Sequence, residues 1–284
     1  MAEPKLGLIA GSDHLPLELA RAARDAGRRV VGLAFRDLTD PSLEDEVEQL
    51  VWLHLGQLDA LVAALRGAGL REVVMAGKVP KLLLFERSER VRPDARALQM
   101  VEGLGDRADD AILQAIVGLI EQQGIRVLPQ AELAPRLLAE VGILGHIHPT
   151  STQLGEIAFA WPLAKALAGL DIGQTVVVRE RAVLAVEAID GTDATIRRGG
   201  DLARGSACVV KVAKPQQDPR FDLPAIGLGT VESLAAAEVP VMAVEAGRTL
   251  VLERAALIER ADAHGIALVG IEPAGPQGLR ERPI

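Results

Sequence analysis

The chain has 284 residues, which is long for one domain and sufficient for two domains of about 100–200 residues each. Hydrophobic residues make up 49% of the chain and aromatic residues only 2%, so the core must be built from Leu, Val, Ala and Ile. The formal net charge is −8, and both signs are mixed along the chain, which leaves no basic face for a nucleic acid. We therefore expect no nucleic-acid partner.

The cysteine content and the apolar runs favour a cytoplasmic protein. Cys208 is the single cysteine, so no disulfide can form within the chain, as is typical of a reducing compartment. Its apolar neighbours predict a small buried hydrophobe, with a nucleophile as the alternative. The first apolar segment, residues 6–10, is too short for a signal peptide, and no run approaches the roughly 18 apolar residues of a membrane-spanning helix.

The first half of the chain alternates strand and helix patterns. Strand patterns cover residues 6–10, 29–35, 72–76 and 125–128, and helical spacing covers residues 15–26, 58–65 and 109–122. Such alternation predicts a parallel sheet with helices on both faces. We therefore expect an N-terminal Rossmann-like domain at residues 1–134.

Ligands of such a sheet bind at the carboxyl ends of its strands. The loops after the first and third predicted strands contain Gly11, Ser12, Leu15, Gly77 and Lys78, our candidate substrate-binding residues. The spacing Gly7-x-x-x-Gly11 is not the dinucleotide fingerprint, although Asp37 lies near the expected acidic position. A backbone-amide site for a phosphate or a sugar hydroxyl is favoured over NAD. Lys78 is either a phosphate-binding lysine or an ordinary turn residue.

Residues 129–149 resemble a joint between two domains and include a short predicted helix at 132–140. His146 and His148 alternate as metal ligands on a strand would, but a structural role is preferred because no Cys or Asp lies beside them. Further elements are predicted at 153–170 (helix), 175–179 and 182–188 (hairpin), 193–198 (helix), 208–212 (strand), 230–238 (helix), 241–244 (strand) and 254–269 (helix and strand). These elements predict a mixed-sheet α/β domain at residues 135–284, with the site in the cleft between the two domains.

Two polar residues, Thr192 and Asp193, lie at the start of the helix predicted at 193–198. Thr192 is a candidate N-cap for the helix at 193–198, and Asp193 a first-turn acid that the helix dipole favours. Both residues also remain candidates for the site.

A polar loop follows the strand at 208–212. It contains Lys211, Lys214, Gln216, Gln217, Asp218, Arg220 and Asp222. Three prolines stiffen its backbone by fixing φ. Carboxylates suit Mg²⁺ or the activation of a water, and Lys or Arg suit phosphate oxygens, so the loop predicts phosphoryl chemistry. A solvated loop with no function is the alternative, at about equal weight on composition alone.

Several segments together resemble one family. They are 7–11 (GLIAG), 76–78 (AGK), 109–111 (DDA), 171–174 (DIGQ), 186–193 (VEAIDGTD) and 214–224 (KPQQDPRFDLP). In this order, over nearly the whole chain, they are similar to the LpxI family of UDP-2,3-diacylglucosamine pyrophosphatases. The departures are Ala108, where many members have Gly, and Asp190, where many have Glu.

The resemblance implies a Mg²⁺-dependent hydrolase, with Mn²⁺ as the alternative ion, in lipid A biosynthesis of a Gram-negative bacterium. It would split UDP-2,3-diacylglucosamine into UMP and 2,3-diacylglucosamine 1-phosphate (lipid X), with water attacking the phosphorus on the sugar side. The aspartate that such enzymes require falls on Asp222. The lipid-linked substrate implies a cytoplasmic protein in peripheral contact with the inner membrane.

These considerations give a hypothesis for the site. The catalytic residues would be Asp222, Asp218 and Asp193, with Asp222 and Asp193 also holding the metal. The substrate would be bound by Lys211, Lys214 and Arg220 at the diphosphate, and by Gln174, Thr192 and Gln217. Asp13 and His14 are adjacent rather than spaced as in the D-x-H segment of metallophosphoesterases, and the chain has neither the G-N-H segment of those enzymes nor the Nudix helix. A non-catalytic carrier of lipid X or a nucleotide sugar, and a Rossmann oxidoreductase, are the alternatives.

Overall fold

The computed structural model describes residues 4–79, 91–104, 109–272 and 274–276, without the side chains of Asp109 and Asp110. The chain forms two compact units. The first contains Met1–Pro135 together with Asp218–Asp222, and the second contains Arg136–Gln217 and Leu223–Ile284. Each unit has its own sheet, so the α/β class expected from the sequence is confirmed.

The first unit is built around a five-stranded sheet. Its strands are β1 (Lys5–Ala10), β2 (Arg29–Phe35), β3 (Gln49–Leu53), β4 (Glu72–Ala76) and β5 (Arg126–Leu128). They lie in the order β3-β2-β1-β4-β5, and every neighbouring pair is parallel. This is a Rossmann-like sheet, as predicted.

Strand β3 was not predicted, and the structure adds it. Gln49 is exposed and the next three residues are half-buried, because β3 lies at the edge of the sheet. The apolar run of β3, residues 50–53, has only four members, and periodicity alone cannot distinguish so short a run from part of a buried helix. The loop with Gly77 and Lys78 therefore follows the fourth strand and not the third.

The helices of the first unit are α1 (Leu15–Asp25), α2 (Leu58–Gly67), α3 (Ala95–Gly103), α4 (Asp109–Glu121) and α5 (Gln130–Leu133), with 3₁₀ helices at Pro41–Glu46 and Pro135–Leu137. Leu33, Leu65 and Ile120 are fully buried in the core of this unit. The single helix predicted at 132–140 is wrong. Helix α5 ends at Leu133, and Pro135 cannot donate the backbone hydrogen bond that a continuing helix requires.

The second unit contains a mixed sheet. Its strands are β6 (Gly142–Ile143), β7 (Thr175–Arg179), β8 (Ala182–Val186), β9 (Cys208–Lys211), β10 (Ala225–Ile226), β11 (Val241–Glu245), β12 (Leu250–Val251) and β13 (Ala267–Ile271). Six of them lie in the order β6-β13-β11-β9-β7-β8, while β10 pairs with β12. Strands β9, β11 and β13 are parallel, and β6, β7 and β8 are antiparallel to their neighbours. The predicted mixed sheet and the β7-β8 hairpin are confirmed.

The helices of the second unit are α6 (Ser151–Gly169), α7 (Thr192–Ala203), α8 (Leu228–Ala236) and α9 (Arg254–Ala263). Helix α6 begins with a capping box between Thr150 and Gln153, which satisfies two backbone donors at its start. The N-cap of α7 is Gly191 with φ +80°, so the prediction of Thr192 as the N-cap is wrong. The Thr192 hydroxyl donates to Glu187 instead, and the helix runs well beyond residue 198.

Cys208 and His146 lie in the second unit, and the neighbours of both side chains are part of the fold. Cys208 is buried in β9, and burial raises the pKa of its thiol, so it packs as a small hydrophobe, as predicted. His146 Nδ1 lies 2.6 Å from Asp262 Oδ2, which gives the imidazole a hydrogen-bond partner. Of the helices in the described ranges, none combines the length and apolarity needed to cross a membrane.

Candidate active site

Two loops of the first unit meet where the strand order reverses. Strands β1 and β4 are neighbours, and β2 and β5 lie on opposite sides of this pair, which is the position where such folds bind ligands. Gly11 N–H donates to Ala76 O at 2.7 Å. Ser12 N–H donates to Lys78 O at 2.9 Å, and Lys78 N–H donates to Ser12 O at 3.1 Å. The structure thus brings the two predicted loops together.

Glycine is required at two positions in these loops. A Cβ at Gly77 would lie 2.3 Å from Ser12 O, and a Cβ at Gly11 would lie 2.6 Å from Lys78 O. Gly77 also has a φ of +83°, which a residue with a side chain rarely adopts. The glycines therefore allow two backbones to approach closely, a role different from that in a dinucleotide fingerprint.

The turn between β1 and α1 surrounds Asp13. Burial raises the pKa of Asp13, even though Leu15 N–H donates to its Oδ1 at 2.9 Å and Lys78 Nζ lies 3.8 Å from its Oδ2. The Leu15 side chain is buried, so a role in substrate binding could involve only its backbone. An open cavity of about 610 Å³ beside this turn is lined by Asp13, Asp37 and Asp40 among other residues. Three carboxylates suit hydroxyl donors better than phosphates.

A chain of hydrogen bonds in the second unit joins three predicted site residues. Lys211 Nζ donates to Thr192 Oγ1 at 3.0 Å and to Ala225 O at 2.9 Å. Thr192 Oγ1 donates to Glu187 Oε1 at 2.8 Å, and Gln174 N–H donates to Glu187 Oε2 at 3.2 Å. Thr192 and Gln174, which were predicted separately, therefore share the Glu187 carboxylate, and Lys211 joins them through the Thr192 hydroxyl.

Glu187 is a candidate site residue that the sequence reasoning missed. It lies inside the family segment at 186–193, which was its only signal in the sequence. Its carboxylate accepts from Thr192 at the start of α7 and from Gln174 in the loop before β7, and local periodicity cannot show such pairings. The side-chain oxygen of Gln174 is buried nearby without a hydrogen-bond partner among the described residues, so one acceptor in this group is unsatisfied.

The polar loop begins with a closed turn in the second unit. Lys214 Nζ lies 2.6 Å from Asp171 Oδ1, and the lysine side chain is only 12% exposed. Gln217 N–H donates to Lys214 O at 3.1 Å, and the Gln217 side-chain oxygen accepts from Lys214 N–H at 3.3 Å. The side-chain nitrogen of Gln217 is buried with no acceptor in the described part of the chain. Lys214 and Gln217 are thus positioned together.

The middle of the loop, Asp218–Asp222, packs as part of the first unit. Arg220 Nη2 donates to Asp218 Oδ2 at 2.7 Å, and Arg220 Nη1 donates to Glu121 Oε1 at 3.0 Å. Hydrogen bonds from the Arg220 guanidinium hold the pKa of Asp218 below its usual range. Phe221 is buried in the core of the first unit. Asp218 and Arg220 are therefore partners of each other, and their predicted catalytic and substrate-binding roles stay predictions.

Asp222 and Asp193 differ in surroundings. Asp222 is exposed and has a φ of +55°, in the left-handed region that residues other than glycine seldom occupy. Asp193 is half-buried in the first turn of α7. In the described residues no three His, Cys, Asp or Glu side chains form a group that could hold a metal ion. The metal-binding role of Asp222 and Asp193 therefore stays a prediction.

A Rossmann-like sheet, a mixed α/β sheet, and lysines, amides and carboxylates in loops at strand ends define a candidate enzyme of phosphate chemistry. Models of the LpxI N-terminal domain and the LpxI C-terminal domain match residues 5–137 and 140–269. The chain belongs to the LpxI family. It is 36% identical over 280 residues to the UDP-2,3-diacylglucosamine pyrophosphatase LpxI of Caulobacter vibrioides, covering 95% of this chain and 98% of that protein.

Similarity to solved structures is weak. Glycinamide-RNase-transformylase T from Mycobacterium tuberculosis matches with a TM-score of 0.25 and 16% identity, over 65% of this chain and 44% of that chain. The leucoanthocyanidin reductase–NADPH complex from Vitis vinifera matches with a TM-score of 0.31 and 11% identity, over 94% and 78% of the two chains. These values carry no inference about function.

Proposed function

We propose that this chain hydrolyses the diphosphate of UDP-2,3-diacylglucosamine to UMP and 2,3-diacylglucosamine 1-phosphate, a reaction of lipid A biosynthesis. The observation that carries the proposal is the similarity to the Caulobacter pyrophosphatase, at 36% identity over 95% of this chain. The models of both LpxI domains also match this chain. The charged loop at 211–222 supplies residue types that suit the reaction.

The charges that develop during hydrolysis require a carboxylate near the attacking water and a cation near the leaving group. A bond forms between the water oxygen and the phosphorus on the sugar side, and the bond from that phosphorus to the bridging oxygen breaks. Asp222 is an exposed carboxylate, and we assign it to orient the water and accept its proton. Negative charge builds on the departing UMP oxygen, and we assign Lys211 and Lys214 to stabilise it.

We propose Mg²⁺, with Mn²⁺ as a substitute, as the cofactor. Mg²⁺ is usually held by one or two carboxylates together with substrate phosphates and waters, and it therefore does not require a group of three protein ligands, which the described residues do not form. Asp222 and Asp193 would be the protein ligands, and the bound ion would neutralise charge on the diphosphate oxygens. EDTA should abolish turnover and added Mg²⁺ should restore it. Full activity in EDTA would contradict the proposal.

The reaction is tested by incubating the purified protein with UDP-2,3-diacylglucosamine and Mg²⁺ in ¹⁸O-labelled water. We expect the label in 2,3-diacylglucosamine 1-phosphate and unlabelled UMP. Label in UMP would keep the hydrolysis but reverse the side of attack. Absence of both products would favour the second candidate, a protein that binds lipid X or a nucleotide sugar without turning it over.

We also propose a cytoplasmic protein in peripheral contact with the inner membrane. The support is the substrate, whose two acyl chains place it at a membrane surface. The protein should sediment with vesicles that contain UDP-2,3-diacylglucosamine and less with vesicles that lack it. Equal sedimentation with both would contradict recruitment by the substrate.

A further inference from the structure

A cluster of charged side chains around the buried Glu245 lies at the end of β11, outside the predicted site. Glu245 is fully buried, and its Oε2 lies 2.9 Å from Lys165 Nζ on α6. Arg248 Nη1 lies 3.6 Å from the other oxygen of the carboxylate. Removing such charges from water costs as much as their attraction returns, so this ion pair is weak evidence for a role in stability. The three side chains also share a second feature, which is the backbone segment that they bind.

All three side chains hold the backbone of the polar loop where it leaves the sheet. Ala213 N–H donates to Glu245 Oε2 at 2.8 Å, and Lys165 Nζ donates to Ala213 O at 3.0 Å. Arg248 Nη2 donates to Lys214 O at 3.0 Å. Both polar backbone groups of Ala213 and the carbonyl of Lys214 are therefore bound by charged side chains, just after β9 ends at Lys211.

We propose that Lys165, Glu245 and Arg248 form a loop clamp that positions Lys214 and Gln217 for the diphosphate of the substrate. Charge-assisted hydrogen bonds are shorter and stronger than neutral ones, so three of them fix two consecutive residues. Pro215 follows directly with a restricted φ and extends the fixed segment. The clamp residues are positioning residues, and this role rests on the proposed function.

The first test separates positioning from stability. Lys165→Met combined with Glu245→Leu replaces the ion pair by apolar side chains of similar size, which buried sites often tolerate. We expect a melting temperature within about 3 °C of the parent enzyme. We also expect kcat to fall at least about tenfold, because Ala213 loses both its partners and Lys214 is no longer held. A stable double variant with parental kcat would overturn the clamp.

Arg248 provides a second test that does not disturb the buried pair. Arg248→Met should lower kcat/KM at least about tenfold, and Arg248→Lys should recover part of the loss, since lysine keeps one charged donor. Arg254→Met is the matched control, because Arg254 is also half-buried in the second unit and donates to a backbone carbonyl, that of Leu138. An equal loss in both methionine variants would overturn a specific role for Arg248.

Backbone amide exchange tests the clamp without turnover. In the Lys165→Met, Glu245→Leu variant the Ala213 amide should exchange at least about tenfold faster, while the amide of Val210 inside β9 should keep its parental rate. An unchanged Ala213 rate would overturn the clamp. An inactive parent enzyme would instead contradict the proposed function, and with it the catalytic purpose given to the clamp.

Discussion

Asp222 combines an exposed carboxylate with a backbone conformation that costs free energy. Its φ of +55° lies in the left-handed region, which costs a residue with a Cβ about 1 kcal/mol. The neighbouring Phe221 is buried and holds the chain there. Because strain at an exposed residue brings no packing, the position is consistent with the chemical role that we propose for its side chain.

We predict that Asp222→Ala folds normally and loses at least about a hundredfold in kcat, since about 2.7 kcal/mol of barrier is a hundredfold in rate. The control is Asp222→Asn, because asparagine tolerates the left-handed region but cannot accept the proton of water. The measurements are kcat for the release of UMP and the free energy of unfolding in urea. Parental activity in either folded variant would contradict the assignment of Asp222.

Gly77 and Gly69 both have a positive φ, but only Gly77 is in close contact with another backbone segment. Gly77→Ala should lower the free energy of unfolding by more than about 2 kcal/mol, because its Cβ would lie 2.3 Å from Ser12 O. Gly69→Ala is the matched control. Gly69 has a φ of +66° but nothing within 4 Å of the added Cβ, so only the backbone cost of about 1 kcal/mol applies. Equal losses in the two variants would contradict close approach of the loops.

At the scale of elements, Phe221 is the apolar side chain that anchors the short segment Asp218–Asp222 in the core of the first unit. Phe221 is 3% exposed and packs in the core of that unit, and Gln130 N–H donates to Pro219 O at 3.1 Å. We predict that Phe221→Ala costs about 3–5 kcal/mol of unfolding free energy and also lowers kcat, because Asp222 follows directly. Urea unfolding and steady-state kinetics measure the two effects.

Phe159→Ala is the control for the anchor. Phe159 is half-buried in the second unit, so its removal should cost less than that of Phe221. Its kcat should stay parental. A Phe221→Ala variant that loses stability but keeps full kcat would show that the anchor does not position Asp222.

Periodicity in the sequence predicts elements that bury a continuous face. The strands β1, β2 and β4 and the hairpin β7-β8 were found in this way, because their residues are apolar in runs or alternate. Strand β3 was missed because its apolar run, residues 50–53, is short and does not alternate with polar residues, so periodicity gives no clear strand signal there. Helix 132–140 was predicted as one element because spacing alone overlooks the missing donor of Pro135.

The sequence predicted which residues belong to the candidate site, but it did not predict which side chains bind one another. Residue types and the family resemblance identified Thr192, Lys211 and Lys214 as candidates. They did not identify Lys165 and Glu245 as partners, because those residues are 80 positions apart and only the fold brings them together. Nor does any local pattern indicate that Asp218–Asp222 packs in the first unit.

At the scale of the whole molecule, each unit contains one tryptophan, Trp52 in the first and Trp161 in the second. Replacing one of them by Phe leaves a fluorescence signal that reports on a single unit.

Each unit also contains an aspartate with a lowered pKa. For Asp218 the cause is the Arg220 guanidinium, and for Asp262 partial burial opposes the shift but hydrogen bonds from His146 outweigh it. Acid stability can therefore be followed unit by unit.

The sign of the pH dependence follows from the lowered pKa of Asp218. A carboxylate whose pKa is lower in the folded protein stabilises it above the unfolded value of about 3.9, and this contribution is lost as the pH falls through the folded pKa. Asp218→Asn should therefore lower stability in the Trp52 signal at about pH 7, and the difference from the parent should shrink below about pH 4. Asp45→Asn, which changes an exposed aspartate of the same unit, is the control and should leave the Trp52 signal at its parental value. A difference for Asp218→Asn that stays constant down to about pH 2.5 would show that Arg220 does not bind this carboxylate in the folded protein.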